Sequence, residues 1–248
     1  MIPAAELSRI RARFQGLKGR VRIDFFSPKD LKEPPVLAML QDLASVSPRI
    51  ALTVHEFEPD SEAATKLNVD KAPAIVIRGQ ANRPLRYYGS PSQHQFAVFL
   101  ETLVAASTGA VELEEETVRQ LRRLRSDVNL RVLVMPSCKF SPVMAFNALR
   151  FGLQSVRVKV DVIDVSEFPF IIQQVGVPAV PVTIINDQYG IPGVVSEGDL
   201  AKAVLQAAEG EEVKVNSRPK TVTMLAARQP RPQPPGPRRT SSGLILPR

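Results

Sequence analysis

The sequence predicts an α/β protein made of two units that repeat the same order of helices and strands. Hydrophobic residues recur at helical spacing in some segments and alternate in others, and the resulting order α-β-α-β-α-β-β-α occurs twice in 248 residues. Two nine-residue windows fix the register of the repeat: VDKAPAIVI at 69–77 and VPAVPVTII at 177–185. Their central prolines, Pro73 and Pro181, are 108 residues apart. This equal spacing predicts an internal duplication.

The first unit is predicted to span residues 1–109. Leu7, Ile10 and Phe14 lie at helical spacing, with Arg and Lys on the other faces, which favours an amphipathic helix over 4–17. Pro34 and Pro35 suit the first turn of the next helix, where no amide partner is needed. The other elements follow from the hydrophobic pattern, with strands at 21–26, 50–57, 74–77 and 85–88 and helices at 37–43, 61–67 and 93–105.

The second unit is predicted to span residues 110–212. It opens with a charged helix over 112–125, whose acidic residues come early and basic residues late, as the helix dipole prefers. The elements that follow repeat the first unit, with strands at 130–135, 158–165, 182–185 and 193–196 and helices at 142–151, 167–175 and 199–208.

A basic, proline-rich tail is predicted to follow, over 213–248. The chain carries a net charge of +7, but the tail holds eight basic residues and no acidic ones, so the body is close to neutral. The run RQPRPQPPGPRR cannot form a helix or a central strand because its prolines lack amide donors. We expect disorder with polyproline II character beyond about residue 225.

The composition limits how the protein is stabilised and where it works. The single cysteine, Cys138, excludes an intramolecular disulfide and a cysteine-rich metal site, so a reducing compartment is expected. The two histidines, His55 and His94, are 39 residues apart with no second ligand near either, and no metal or cofactor is predicted. The N-terminal residues lack the apolar run of a secretory signal, and no stretch approaches the ~18 apolar residues of a membrane span. We expect a cytoplasmic location.

Cys138 lies in the segment MPSCKFSP at 135–142, between a predicted strand and a predicted helix. Unpaired amides and the dipole at a helix N-terminus favour an anion, and they can lower a thiol pKa from ~8.5 into the range of ~3.5 to 7.5. A lone cysteine can also be an inert small residue in a core. The position at a helix start favours a reactive thiol, and the flanking Lys139 adds little through its charge if it is exposed.

Val180 and Pro181 mark a second feature of this unit, a proline at the start of a buried strand. Such a proline can adopt a cis peptide bond and turn the preceding backbone groups outward. An extended peptide could then pair with this edge near the sulfur.

The order strand, cysteine, helix, strand, helix, proline, two strands, helix resembles a thioredoxin fold. Two such units in tandem, with the phrases RYYGSPSQHQF and VGVPAVPVTIIND, resemble the glutaredoxin-like protein disulfide oxidoreductases of bacteria and archaea. The N-terminal module of the flavoproteins of alkyl hydroperoxide reductase is similar. The resemblance covers about residues 4–210 and implies two tandem thioredoxin-like folds, each with a mixed central sheet flanked by helices.

The chain departs from this family at the residues that carry thiol chemistry. The family has a Cys-x-x-Cys motif in the second unit, and this chain has Cys138, Lys139, Phe140 and Ser141 there. The resemblance implies that Cys138 is the attacking cysteine, that Ser141 occupies the resolving position and that Pro181 is the cis-proline. Lys139, Phe140 and Val180 then belong to the substrate-binding surface.

The corresponding stretch of the first unit, FFSPKDLKEPP, contains no cysteine. Counting back 108 or 109 residues from Cys138 reaches Asp30 or Lys29, so this unit has no thiol chemistry. Ala72 and Pro73 keep the form of the proline site and would be vestigial.

Two functions remain open at this point. The first is a monothiol oxidoreductase, in which Cys138 forms a mixed disulfide with a protein or a low-molecular-weight thiol and an external thiol resolves it. In this hypothesis Ser141 donates a hydrogen bond to the thiolate. The second is a non-catalytic thioredoxin-fold adaptor or chaperone-like binding protein, favoured by the loss of one site and half of the other.

The tail also has two interpretations. Its ~8 cations could bind an anionic partner such as nucleic acid or a membrane, with an affinity that falls steeply in salt. It could equally be a tether that recruits a partner or keeps the protein soluble. Sequence-specific nucleic-acid binding is not expected because the tail has no aromatic residues on which bases could stack.

Overall fold

A computed structural model describes residues 2–30, 34–176, 179–215 and 223–224. The first unit contains four helices and four strands: α1 Ala4–Phe14, β1 Val21–Ser27, α2 Pro35–Ser45, β2 Ile50–Glu56, α3 Glu62–Leu67, β3 Ala74–Arg78, β4 Leu85–Tyr88 and α4 His94–Thr108. The rest of the described chain contains α5 Glu115–Arg123, β5 Val128–Val134, α6 Ser141–Gln154, β6 Val158–Asp164, α7 Phe170–Val175, β7 Val182–Ile185, β8 Tyr189–Pro192, α8 Glu197–Glu209 and β9 Thr223–Met224. The two sets follow the predicted order of elements.

The strands form one continuous sheet in the order β2-β1-β3-β4-β6-β5-β7-β8-β9. Within each unit the first two strands are parallel and the last two are added antiparallel, so β2-β1-β3-β4 and β6-β5-β7-β8 have the same arrangement. The units meet where β4 pairs in parallel with β6. The predicted α/β class with two thioredoxin-like folds is therefore confirmed.

Two hydrophobic cores lie on opposite faces of this sheet. The larger core includes Phe25 and Val132 from the sheet and packs under α1, α2, α4, α5, α6 and α8. The smaller core includes Phe26 and Leu133 and packs under the short helices α3 and α7. Because side chains alternate across a strand, adjacent residues such as Phe25 and Phe26 supply both cores. This explains why these strands are nearly continuous apolar runs in the sequence.

Local signals set the ends of several helices. The Ser61 and Ser196 hydroxyls cap α3 and α8 by accepting hydrogen bonds from the amides of Ala64 and Asp199. Pro142 lies in the first turn of α6, where its missing amide has no helical partner. The sequence pattern therefore places these helix starts to within a few residues.

The last strand of the second unit differs from the prediction. The hydrophobic pattern predicts it at 193–196, whereas β8 runs over Tyr189–Pro192. Asn186 and Asp187 both have positive φ angles, so the chain reverses immediately after β7 and Ile185 pairs with Tyr189. Asn and Asp tolerate this conformation. Because the turn comes directly after β7, β8 begins earlier in the sequence than predicted.

The start of the tail packs against the body. Val213 and Val215 are buried in the larger core, and the Lys214 amide donates a hydrogen bond to the Gln206 side chain. Further on, β9 pairs with the start of β8. The disorder predicted beyond about residue 225 falls on residues 225–248, which lie outside the described residues. Within the described ranges, no helix is long and apolar enough to cross a membrane.

Candidate functional site

Cys138 lies in a turn at the carboxyl end of β5, immediately before α6. The turn is closed by a hydrogen bond of 3.0 Å from the Cys138 amide to the Met135 carbonyl. The helix begins at Ser141, with Phe140 at its N-cap position and no side-chain cap. The thiol is partly buried, so it is held in place and still open to solvent.

The sulfur of Cys138 faces the segment that precedes β7. Its thiol lies 3.7 Å from the Val180 carbonyl oxygen and donates a weak hydrogen bond to it, although 42 residues separate the two in sequence. The peptide bond between Val180 and Pro181 is cis. The fold thus brings together Cys138, Val180 and Pro181 at the carboxyl end of β5. In the sequence, the cysteine and the proline are separate features.

The surroundings of Cys138 act on its pKa in opposite directions. Burial raises the pKa of the thiol, whereas the Ser141 hydroxyl and the backbone amides of Phe140 and Ser141 lower it, and the net effect is a lowered pKa. These groups are the free donors at the start of α6, which stabilise an anion. The thiolate is therefore favoured relative to that of a free cysteine.

Ser141 is fully buried beside this thiol. Among the described residues its hydroxyl has no hydrogen-bond partner. Buried polar groups without a partner are costly, and a thiolate would supply the missing acceptor. Ser141 thus complements the ionised form of Cys138.

The exposed part of the turn is mainly apolar. Phe140 is 56% exposed and Val143, one turn further along, is 47% exposed. The Lys139 ammonium lies 5.3 Å from the centre of the Phe140 ring, and the charge of Lys139 is not among the causes of the lowered pKa of Cys138. Lys139 therefore belongs to the surface around the thiol.

The first unit repeats the proline part of this site, and its sequence contains no cysteine. The bond between Ala72 and Pro73 is also cis. In both units the proline carbonyl accepts a hydrogen bond from a glycine, Gly89 in the first unit and Gly193 in the second. Leu31 comes as far after the end of β1 as Cys138 comes after the end of β5, so Leu31 is its counterpart in the sequence. Leu31 is outside the described residues.

The two histidines lie in different surroundings. The Nε2 atom of His55 lies 3.0 Å from the Asp24 carboxylate, which also binds Arg78, and the His55 ring stacks on Phe26. His94 is exposed at the start of α4. In the described part of the chain no three His, Cys, Asp or Glu residues are grouped so that they could hold a metal ion.

A cluster of polar groups joins the two units next to this turn, and sequence reasoning missed it. We call Gly89, Ser90, Asp164 and Glu167 the seam. The Ser90 amide donates to the Glu167 carboxylate at 2.7 Å, and a side chain at position 89 would place its Cβ 2.7 Å from the Cβ of Asp164. No local sequence pattern predicts these contacts, because they join residues of different units.

Residues that follow the seam positions in sequence donate backbone hydrogen bonds to the cysteine turn and to the end of β5. The His94 amide donates to the Pro136 carbonyl at 3.3 Å, and the Val165 amide donates to the Val134 carbonyl at 2.9 Å. Beside His94, the fully buried Gln95 side chain has no hydrogen-bond partner among the described residues. The thiol-free first unit therefore contacts the turn that carries Cys138.

A cysteine at a helix start that faces a cis-proline, on a sheet of this order, defines a thioredoxin-fold protein. Residues 128–206 match the family described as "Thioredoxin domain", which covers β5 to α8 of the second unit. No curated protein matches the chain by sequence.

Solved structures match the fold of both units together. An alkylhydroperoxide reductase protein of Enterococcus faecalis, AhpF, is 18% identical with a TM-score of 0.75, and the match covers 82% of this chain and 99% of that one. A protein disulfide oxidoreductase from Aeropyrum pernix is 22% identical with a TM-score of 0.74, over 84% and 94% of the two chains. Sso1120 from Sulfolobus solfataricus is 19% identical with a TM-score of 0.55, over 74% and 93%. The predicted resemblance to thioredoxin-like oxidoreductases is thereby confirmed at the level of the fold.

Proposed function

We propose that the protein carries out thiol-disulfide exchange as a monothiol through Cys138. The observation that carries this proposal is the combination of a lowered pKa of Cys138 with a buried Ser141 hydroxyl that lacks another acceptor among the described residues. An inert core cysteine would be fully buried in apolar surroundings, which raise a thiol pKa. The likeness to structures named as a disulfide oxidoreductase and an alkylhydroperoxide reductase supports the same chemistry.

The exchange proceeds in two steps. The Cys138 thiolate attacks one sulfur of a disulfide, a mixed disulfide with Cys138 forms, and the other sulfur leaves as a thiolate that takes a proton from water. A second, external thiolate then attacks the substrate-derived sulfur of the mixed disulfide, forms a new disulfide with it and releases the Cys138 thiolate. One substrate sulfur is thereby reduced to a thiol and the sulfur of the external thiol is oxidised into the new disulfide, because the chain has no second cysteine.

The surrounding residues have distinct roles in this proposal. The Ser141 hydroxyl donates to the thiolate in the resting state and cannot be oxidised to a disulfide. The Val180 backbone, next to Pro181, pairs with the extended segment of a substrate beside the sulfur. Phe140 and the stem of Lys139 contact the side chains that flank the substrate disulfide.

Alkylation kinetics test the reactivity of this thiol. The rate constant for the reaction of the folded protein with iodoacetamide, measured against pH, should give an apparent pKa for Cys138 below ~8.5. Replacing Ser141→Ala should raise this pKa, because the thiolate loses a hydrogen-bond donor. Ser137→Ala, at an exposed position of the same turn, is the matched control and should leave the pKa unchanged.

Turnover is a separate measurement. With a protein mixed disulfide as substrate and a low-molecular-weight thiol as reductant, the wild-type protein should accelerate reduction and Cys138→Ser should not. An apparent pKa at or above ~8.5, the value of a free cysteine, or equal rates for wild type and Cys138→Ser, would contradict the proposal.

The first unit favours a second function. It keeps a cis-proline site but contains no cysteine, which suits peptide binding without chemistry. In that case the protein is an adaptor, and Cys138→Ser should bind an extended peptide as tightly as the wild type while neither protein turns over a disulfide.

A further inference from the structure

Six strands of the sheet run in the same direction, so their amino-terminal ends lie on one side of the molecule. These strands are β2, β1, β4, β6, β5 and β8. Cys138 follows the carboxyl end of β5, and the residues of this strand span about 20 Å. The side formed by the amino-terminal ends is therefore opposite to the side that carries the thiol.

An arginine lies within three residues before each of the first five of these strands. Arg49 precedes β2, Arg20 precedes β1, Arg83 precedes β4, Arg157 precedes β6 and Arg125 precedes β5. We call these five arginines the basic rim. Four of them are exposed and Arg83 is half-buried. Because neighbouring strands lie ~4.8 Å apart, the rim extends for about 24 Å across both units.

Most of the positive charge of the basic rim is not compensated. In the described part of the chain only Arg157 of the rim contacts a carboxylate, that of Asp127 at 3.3 Å, which Lys159 also binds. Two other rim arginines donate to backbone carbonyls, which hold the guanidinium groups without neutralising them. The sixth strand, β8, follows Asp187, whose carboxylate pairs with Arg131. The rim therefore presents a nearly continuous row of positive charge.

A cleft lies at the basic rim where the two units meet. It has a volume of about 300 Å³ and is lined by Arg83 and Arg157 of the rim, by Arg122 and by no acidic residue of the described chain. A concave surface lined by charges of one sign focuses their field and concentrates counter-ions. The cleft is thus suited to a phosphate group.

The basic tail begins on the same side of the molecule. Met224, the last described residue, pairs with Tyr189, the first residue of β8. Because β8 runs in the same direction as β5, its first residue lies on the side of the basic rim. Residues 225–248 contain five arginines and no acidic residue. The tail therefore starts beside the rim and has the same sign of charge.

We propose that the basic rim and the tail bind the phosphate backbone of a nucleic-acid duplex without reading its sequence. A duplex carries one negative charge per ~1.7 Å of its axis, so a row of guanidinium groups about 24 Å long can contact several phosphates. Arginine suits this role because its planar fork of donors matches the geometry of phosphate. This binding goes beyond the proposed thiol chemistry and does not depend on it.

The distribution of apolar side chains favours backbone contacts over the alternatives. The exposed aromatic residues of the described chain, Phe140 and Phe170, follow the carboxyl ends of strands, on the side opposite to the basic rim. Bases therefore have no aromatic ring at the rim on which to stack. An anionic membrane is less suited for the same reason, since helices that lie in a membrane surface insert aromatic or leucine side chains.

Fluorescence anisotropy with a labelled DNA duplex of about 20 base pairs and random sequence tests the binding. The full chain should bind it with a micromolar dissociation constant at about 50 mM salt and at least about 100-fold more weakly at 200 mM, because neutralised phosphates release counter-ions. A duplex of a different sequence should bind equally. No binding at about 100 µM protein in the lower salt, well above the micromolar range, would overturn the proposal.

Two double variants with the same net charge separate position from total charge. Arg20→Glu with Arg125→Glu reverses two exposed rim charges, one in each unit, and should raise the dissociation constant at least about 10-fold and lower the salt dependence. The matched control, Lys66→Glu with Lys202→Glu, reverses two exposed charges on α3 and α8. It should stay within about threefold of the wild type. Equal losses for the two variants would show that net charge alone causes the binding, and would overturn the assignment to the rim.

Vesicles distinguish a nucleic acid from a membrane as the anionic partner. Phosphatidylcholine vesicles with about 30% phosphatidylserine, at the same salt and the same concentration of accessible charge, should bind the protein at least about 10-fold more weakly than the duplex does. Tighter binding to the vesicles would overturn the choice of nucleic acid. Cys138→Ser should bind the duplex as the wild type does, so this result and the failure of the thiol chemistry can be told apart.

Discussion

At position 141 a fully buried hydroxyl lies three residues after the single cysteine of the chain. The Ser141 side chain is fully buried at the first residue of α6 and contributes to the lowered pKa of Cys138. In the proposed function, the oxygen of Ser141 takes the place of the sulfur that the family resemblance implies at this position.

Restoring that sulfur should change the reaction. Ser141→Cys is expected to form an internal disulfide with Cys138 on mild oxidation, seen as the loss of two hydrogens by mass spectrometry. An intramolecular thiol should also release a trapped mixed disulfide at least about 10-fold faster than the wild type, because the second step no longer waits for an external thiol.

The matched control places the new thiol beside Cys138 without the geometry of the helix start. Ser137→Cys lies on the same turn, but adjacent cysteines form a strained disulfide. It should neither form an internal disulfide readily nor shorten the life of the mixed disulfide. If Ser141→Cys keeps two free thiols under an oxidant while folded, the proposed arrangement is wrong.

At the scale of elements, Gly89 allows the first unit to dock on the second. Its φ angle is +100°, and a Cβ there would lie 2.7 Å from the Cβ of Asp164. Gly89→Ala should therefore destabilise the protein through both backbone strain and a clash, by about 2 to 4 kcal/mol. Urea unfolding followed by circular dichroism measures this loss.

Gly176 separates strain from clash. It also has a positive φ angle, +67°, but no atom of the described residues lies within 4 Å of the position of a Cβ. Gly176→Ala should cost only the strain, about 1 kcal/mol. Equal losses for the two substitutions would mean that the contact with Asp164 contributes nothing.

The seam carboxyls should make stability depend on pH. Burial raises the pKa of Asp164 above its ordinary value despite hydrogen bonds from Ser166. Burial also raises the pKa of Glu167, opposed by the Ser90 amide and assisted by the charge of Asp164. The folded state therefore holds these protons more tightly than the unfolded state. The stabilisation is complete below the ordinary carboxyl pKa and is lost as pH rises through the folded pKa values.

Glu167→Gln tests this sign. The Gln side-chain oxygen can still accept the Ser90 hydrogen bond, but it cannot ionise. The free energy of unfolding of the variant minus that of the wild type should therefore increase from about pH 4 to about pH 8, a range that starts near the ordinary Glu pKa. Chemical denaturation at a series of pH values measures it, and a difference that is flat or falls with pH would show that Glu167 ionises normally in the folded protein.

At the scale of the whole molecule, the two units share one sheet and one larger core. Tyr88 of β4 pairs with Ile163 of β6, and both are buried. Val213 and Val215 extend the same core beyond the last helix. We propose that residues 1–109 and 110–212 are two units by origin, and we expect them to unfold together.

The end of the chain can be tested by truncation. A chain that ends at Val215 should be more stable than one that ends at Glu212 by about 3 kcal/mol or more, since full burial of each valine contributes ~1.5 to 3 kcal/mol. Urea midpoints measure the difference. The double substitution Val213→Ala and Val215→Ala in the full chain is the control, and it should reproduce most of the loss. Equal midpoints for the two truncated chains would show that these valines do not stabilise the body.

Much of the fold could be predicted because its signals are local. Periodicity predicts the strands β1 to β7, and the prolines at 73 and 181 fix the register of the repeat. The prediction misplaces β8 because it misses the turn at Asn186 and Asp187. Both residues have positive φ angles, and no glycine marks the turn in the sequence. Their spacing and a family resemblance were enough to predict three site residues, Cys138, Ser141 and Pro181.

The α/β class with its repeated order of elements, the single thiol and the serine three residues after it follow from the amino-acid sequence alone. Each is recorded in residue identity or in short-range pattern. Three other features required the folded chain: Cys138 faces Val180 across 42 residues, the Ser141 hydroxyl is buried beside it, and the seam joins the units next to the same turn. These contacts form between distant segments when the sheet closes, and burial then changes the pKa of the groups involved. No local pattern carries that information.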